Sequence, residues 1–328
     1  MAIPLNIITL YADLVQDLHM RQERPASLYK RTLKGIEYFY AKRPAGTTRR
    51  DMFIGRADTP SVQQHVAIIE AETQRAADRR ITISALRAAG IPAPIPQLGH
   101  VLDALDDSGL MRSTVLVGTA AYQCYPPFLG DLLPNASLTT EDADIATMSL
   151  ALVADTDGDT LEAILRRADE TYSGLLELNP RALPSRFRAK SGFTVDILTP
   201  VLRRDDPHPM PMHNLRAGAA PLQHLRWLIE NPLQAASIFG SGIPLFVPQP
   251  ARYAVHKLII AQKRAGGGIK RFKDLAQAKA IIDILKTRDP YALEDARDAA
   301  FAEGKEGWEV PIMRSLKELK LNAEFEAV

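Results

Sequence analysis

The run Glu141-Asp142-Ala143-Asp144-Ile145-Ala146 alternates acidic and apolar residues, and no other stretch constrains the chain as strongly. A period of two on a strand puts Asp142 and Asp144 on the same face. Two carboxylates side by side repel each other unless a cation sits between them, and oxygen donors of this kind suit Mg²⁺ or Mn²⁺. Upstream, the apolar run 113–117 reads as a short buried strand, which Gly118-Thr119 then breaks. Residues 120–125 can start a helix until Pro126-Pro127 stops it. A third acid, Asp196, lies in the β-prone run Phe193-Thr194-Val195-Asp196-Ile197-Leu198. An aspartate flanked by Val and Ile is costly to bury without a partner, and a metal shared with Asp142 and Asp144 would supply one.

A strand ending in Gly-Thr, an Asp-x-Asp on a second strand and a lone Asp on a third resemble the polymerase-β-type nucleotidyltransferase superfamily. More narrowly, the chain resembles a bacterial nucleotidyltransferase-fold family through Val247-Pro248-Gln249-Pro250-Ala251-Arg252-Tyr253-Ala254-Val255-His256-Lys257-Leu258 and Lys273-Asp274-Leu275-Ala276-Gln277-Ala278. It is also similar to toxin-type nucleotidyltransferases that pair a lysine-bearing helix with a later Lys-Asp motif. The likeness spans about residues 100–290 and leaves the N-terminal third outside. The segment between Gly118-Thr119 and Asp142 is longer than the compact superfamily pattern. Its Pro126, Pro127, Gly130 and Pro134 read as a loop over the site.

The resemblance implies an α+β fold, a mixed sheet flanked by helices, with helical N- and C-terminal regions. It divides the chain into a helical N-terminal domain (1–105), a catalytic core (106–205), and a sheet extension with a C-terminal helical domain (206–328). Asp142, Asp144 and Asp196 would be the metal ligands. Gly118 would let backbone approach phosphates without a Cβ clash, and Thr119 would offer its hydroxyl and N–H at a helix start. Lys257 would neutralise triphosphate charge, and Asp274 would belong to the active site. The implied reaction moves a nucleoside monophosphate from an NTP to a hydroxyl with release of pyrophosphate, using Mg²⁺ or Mn²⁺. The acceptor is left open among RNA (tRNA in particular), protein and small molecule. A degenerate fold that binds NTP or a partner without turnover is the alternative, and an interaction protein whose Asp pair merely caps a turn is a third reading.

Composition removes some competitors. Forty basic against thirty-nine acidic residues leave +1, so no global field draws in nucleic acid, although a local basic groove stays possible. One cysteine, Cys124, excludes an internal disulfide and a thiolate zinc site, and reads as a small buried hydrophobe. No apolar run approaches the ~18 residues of a membrane span and no basic leader opens the chain, so a cytoplasmic protein is expected.

Elsewhere the periodicity predicts helices over 12–24, 27–39, 62–89, 96–109, 160–176, 251–264, 273–285 and 310–321, with another starting at Asp289-Pro290. Arg49, Arg50 and Arg56 fall in a predicted loop. Arg75, Arg79, Arg80 and Arg87 on the long helix read as a polyanion surface or as a solvated face, and the interspersed Glu70, Glu72 and Asp78 favour the latter. Asp155-Thr156-Asp157-Gly158-Asp159 has its glycine misplaced for a calcium loop and reads instead as a turn capping the next helix. Arg186-Phe187-Arg188-Ala189-Lys190 followed by Ser191-Gly192 predicts a hairpin into the Asp196 strand. Arg186, Arg188 and Lys190 share a face there, and Arg188 is the candidate triphosphate contact. Asp206, His208 and His213 form a conceivable metal set in a Pro-rich loop, read as a chance grouping. Residues 222–229 and 236–247 would add strands at the sheet edge. Lys257, in an otherwise apolar run, either snorkels or meets an anion, while His256 beside it reads as packing. Gly266-Gly267-Gly268 lacks the Gly-Lys-Ser/Thr ending of a phosphate loop and reads as a connector.

Overall fold

A computed structural model describes residues 1–134, 142–147, 158–176, 179, 182–201, 208–264 and 268–321. Helix α1 (Leu5–Met20) buries Tyr11, Leu14 and Leu18, one stripe at helical spacing. It ends four residues earlier than the sequence suggests.

The helix expected over 27–39 is instead a β-hairpin, β1 (Ser27–Leu33) with β2 (Ile36–Ala45). Two signals outweigh the helical spacing of its leucines. Tyr29, Tyr38, Phe39 and Tyr40 fit a pleated surface, and Lys34-Gly35 adopts positive φ at both positions (51° and 77°), the two-residue turn that suits strand twist. The chain then turns at Gly46 into β3 (Thr48–Arg56), so Arg49, Arg50 and Arg56 are strand residues and not loop residues. Helix α2 (Pro60–Ala88) covers one face of this sheet, with Ile69 packed on Leu28, Ala41, Met52 and Ile54. Of its four arginines, Arg79 is internal, paired with Glu72 and with Asp17 at 2.6 Å; Arg75, Arg80 and Arg87 are exposed.

Buried charge joins this N-terminal layer to the remainder. Helix α3 (Pro96–Asp107) ends at Gly109, φ 79°, as its C-terminal glycine predicts. Its Asp106 accepts from Arg21 at 2.8 Å and from Arg24 at 2.6 Å. Asp107, fully enclosed, has Arg24, Arg43, Arg50 and Arg167 within 4.0 Å. Burial nonetheless holds its carboxyl above the usual range, against the pull of the arginines.

The central mixed sheet starts with β4 (Thr114–Val117), buried throughout. Two short helices, α4 (Gly118–Tyr122) and α5 (Pro126–Leu129), follow. Pro126 opens the second helix rather than only stopping the first, because proline suits the first turn. Strand β5 (Asp142–Thr147) runs antiparallel to β4. Helix α6 (Leu161–Arg166) is shorter than expected, and its cap falls just past the expected turn, Thr160 Oγ1 accepting from Ala163 N at 3.2 Å. Strands β6 (Ser173–Gly174), β7 (Arg186–Arg188) and β8 (Thr194–Pro200) follow. Strand β8 lies parallel to β5 on one side; on its other side it pairs β7 with its first half and, with its second, β10 (Ala217–Leu222), whose far edge carries antiparallel β9 (Met210–Met212). The architecture is α+β, a mixed sheet flanked by helices.

Residues 222–229 are not a strand but lead into the one-turn helix α7 (Leu225–Leu228), and β11 (Leu233–Ser237) with β12 (Ile243–Val247) makes a separate antiparallel ribbon turned at Gly240 and Gly242. Helix α8 (Pro250–Lys263) is buried on nearly every face, which explains its near-continuous apolar sequence. Around it pack α9 (Ile269–Arg288), α10 (Pro290–Ala302) and α11 (Val310–Leu319). Helix α9 starts four residues before the expected point. Its link to α8, including Gly266 and Gly267, lies outside the described residues, as do Glu141, Asp155–157 and Asp206. No helix among the described residues is long and apolar enough to cross a membrane.

Candidate active site

Strand register brings the three acids of the sequence pattern onto one face. Asp144 is paired with Asp196 and Asp142 with Thr194 across the parallel β5–β8 ladder. Alternation then turns both β5 carboxylates and the β8 carboxylate the same way. Buried Ala143, Ile145, Val195 and Ile197 occupy the opposite face and anchor both strands in the core. The acids are thus fixed by the same pattern that buries their neighbours.

Gly118 explains why the chain needs a glycine where β4 ends. Val117 is the cross-strand partner of Asp144, and the next residue turns with φ 64°. A Cβ at Gly118 would lie 2.2 Å from Asp144 Oδ2, closer than any real contact. The carboxylate therefore rests directly against glycine backbone. Thr119 follows within the first turn of α4, half-buried. From the far side the Tyr253 hydroxyl reaches both Gly118 O (3.0 Å) and Gln277 Oε1 (2.9 Å), tying the turn to α8 and α9.

Electrostatics at this face are unbalanced. The Asp144 carboxyl is pushed up to about 6, first by burial and then by the negative charges of Asp142 and Asp196; Lys257 and Arg186 pull it down only in part. Carboxylate oxygens crowded this way form the donor set that an oxygen-seeking divalent cation would offset. Among the described residues, however, no three His, Cys, Asp or Glu side chains are grouped closely enough to hold a metal ion. Asp196 is engaged elsewhere: Arg186 grips it bidentately, Nε to Oδ1 at 2.5 Å and Nη2 to Oδ2 at 2.7 Å.

Arg188, the arginine favoured from sequence, lies opposite Thr194, two residues from Arg186 and on the same face. The alternation Arg186-Phe187-Arg188 marked both, and only the register with Asp196 separates them. Lys257 is buried and, of the two alternatives its apolar run left open, meets an anion; that anion is Asp274, 2.6 Å from Nζ. Asp274 is itself buried and accepts from Arg264 at 2.5 Å. Lys273, unassigned from sequence, sits close enough to Asp142 to feel its charge, though burial lowers its pKa. His256 is enclosed, its pKa pushed down to about 3 chiefly by burial, as expected of a packing residue. His208 and His213 are exposed, and Cys124 is buried with its thiol pushed up to about 12.

A family profile described as nucleotidyltransferase matches residues 96–302, from α3 through α10, and includes every candidate residue above. The chain belongs to this nucleotidyltransferase family. No curated protein and no solved structure matches it. The matched span leaves α1, the three-stranded sheet and α2 outside.

Proposed function

We propose that the protein is a divalent-metal-dependent nucleotidyltransferase, and that Asp142, Asp144 and Asp196 are its catalytic carboxylates. The observation that carries this reading is the Asp144–Asp196 register beside the glycine turn at Gly118. Asp142 and Asp144 would hold Mg²⁺ or Mn²⁺, which when bound neutralises triphosphate charge. Gly118 and Thr119 admit the phosphates to the end of β4. Lys273 and Arg188 supply positive charge on either side, and Lys257, oriented by Asp274, adds more from α8. Arg186 is over half exposed and free to trade Asp196 for a phosphate oxygen. The acceptor oxygen would bond to the α-phosphorus as the bond to the bridging β-phosphate oxygen breaks. Pyrophosphate leaves with that electron pair, and the hydroxyl proton passes to Asp196. The kinship with toxin-type enzymes is part of the same proposal, resting on Lys257 in α8 and Lys273-Asp274 in α9.

A second reading, an NTP-binding protein without turnover, is favoured by the internal pairing of Asp196 with Arg186 and Lys257 with Asp274. Calorimetry with each NTP, with and without Mg²⁺, tests binding; pyrophosphate release with bulk RNA or protein as acceptor tests turnover. Metal-dependent binding and release, both abolished in Asp142→Asn/Asp144→Asn, support the enzyme. Binding without release under any acceptor supports the second reading, and full activity in the double variant would refute the carboxylate assignment.

A further inference from the structure

The three-stranded N-terminal sheet has one face on α2 and another turned away from it. Residues 27–56 carry eight basic side chains (Lys30, Arg31, Lys34, Lys42, Arg43, Arg49, Arg50 and Arg56) against two acidic ones, Glu37 and Asp51, in a chain whose total is +1. The charge of this segment is thus local, and the remaining chain carries an acidic excess. Alternation sorts the charges further. Leu28, Ala41 and Met52 face α2, so their neighbours Tyr29, Tyr40 and Phe53 face outward. Arg31, Lys42, Arg49 and Arg56 share that outward face; Asp51 is the carboxylate these strands place there, and Asp58, just past β3, pairs with Arg56 at 2.8 Å on an exposed edge.

Aromatic rings line the same surface. Tyr29 and Tyr40 are stacked across the strands, centroids 5.5 Å apart at 21°. Phe53 continues the row, 5.4 Å from Tyr40 and 5.8 Å from Tyr38. Arg31 lies over both Tyr29 and Tyr40, at 5.2 and 5.1 Å, and Lys42 lies over Tyr29 at 5.7 Å. Cross-strand pairing alone explains rings that cover one another. It does not explain Phe53, 62% exposed at the centre of a cationic face, or the outward-facing Leu33, 53% exposed. A lone exposed ring would need no explanation, but Phe53 is contiguous with Tyr29, Tyr38 and Tyr40, and a contiguous exposed patch of this kind marks an interaction surface.

We propose that this outward face is a platform for single-stranded nucleic acid. Unstacked bases would lie on Tyr29, Tyr40 and Phe53, and phosphates would run along Arg31, Lys42, Arg49 and Arg56. Aromatic rings accept any base by its π-face, and interleaved cations follow the backbone, which is how sequence-tolerant single-strand binding works. A duplex hides its base faces and satisfies only the charges. The polyanion surface considered from sequence, the arginines of α2, lacks this combination of rings and charge. The platform is independent of the nucleotidyl-transfer reading, because it lies on residues outside the matched family span and its test needs no NTP or metal.

The test is fluorescence anisotropy of a labelled mixed-sequence 16-nucleotide RNA, with the same DNA strand and its duplex as competitors, on the full chain. Both single strands are expected to bind and the duplex to compete poorly. Phe53→Ala should weaken binding about five- to 150-fold and Phe53→Tyr should preserve it; the ring's exposure lets truncation spare the fold, which circular dichroism checks. Arg31→Gln/Lys42→Gln should lower the slope of log affinity against log salt by about 0.7 per charge removed. Absence of binding at low salt, duplex binding as tight as single-strand binding, or equal capture of polyglutamate would overturn the proposal. So would a loss in Arg75→Gln/Arg80→Gln with none in Phe53→Ala.

Discussion

Lys257 Nζ and Asp274 Oδ1 are 2.6 Å apart, on two different helices and both buried. The aspartate also accepts from Arg264 through its other oxygen. The pair is therefore asymmetric: among the described residues Asp274 serves two cations, whereas Lys257 has that one carboxylate within ion-pair distance. Removing one member of a buried pair costs about 3–5 kcal/mol because the other charge is left uncompensated. Asp274→Asn should approach that cost, since it strands a buried lysine. Lys257→Met should cost less, because Arg264 still answers Asp274 and the methionine fills the volume. Urea unfolding of the two variants measures the difference. A larger loss in Lys257→Met would show that the arginine contributes nothing.

The outcome also bears on how much the sequence disclosed. The acids were legible because a period of two needs only local residues, and Asp142, Asp144 and Asp196 each sit in runs whose apolar partners are buried. The Gly118 turn was legible for the same reason, and so was the hairpin presenting Arg186 to Asp196. What pairs with what was not. That Lys257 meets Asp274, or that Arg186 rather than Arg188 holds Asp196, depends on register and helix packing between segments 10 and 17 residues apart. The N-terminal sheet is hidden in the sequence because Leu28, Leu33, Ile36 and Phe39 imitate helical spacing, while the Lys34-Gly35 turn that decides the matter occupies two residues.

Gly118→Ala tests the contact between the turn and Asp144. A left-handed backbone alone costs an L-residue about 1–2 kcal/mol, and the new Cβ meets Asp144 Oδ2 at 2.2 Å. The loss should therefore exceed the backbone figure in the wild-type background and fall back toward it in Asp144→Ala. Thermal unfolding of the four proteins in this cycle isolates the contact. Equal losses in both backgrounds would mean that the carboxylate does not rest on the glycine.

His256 predicts an acid limb to the stability curve. Burial lowers its pKa to about 3, whereas an unfolded histidine titrates near 6.5. The unfolded chain thus binds a proton that the folded chain refuses, so stability is complete above pH 6.5 and declines as pH falls through the window toward 3. The decline from this ring is about 1.4 kcal/mol per pH unit. His256→Leu should flatten that limb between pH 6 and 4 relative to the wild type, read from urea midpoints at each pH. An unchanged slope would place the acid sensitivity elsewhere.

Asp144 acts with the opposite sign. Its folded carboxyl titrates at about 6, above the ordinary 3.8. A raised folded value favours the folded state below pH 3.8, and that advantage is lost as pH rises through about 6. At neutral pH the ionised group is held at a cost of a few kcal/mol, about 3 at most. Asp144→Asn, which cannot ionise, should therefore stabilise the metal-free protein at pH 7.5, and the gain should shrink below pH 6 and vanish near pH 4. A divalent cation held by Asp142 and Asp144 would offset the same cost by binding the ionised form. Added Mg²⁺ should then raise the melting temperature of the wild type at pH 7.5, less so at pH 5, and not that of Asp144→Asn. Melting curves across pH, with and without Mg²⁺, separate the two effects. A destabilised Asp144→Asn at pH 7.5 without metal would show that the carboxylate is already compensated by Lys257 and Arg186, and would leave no electrostatic reason for a cation at the end of β4.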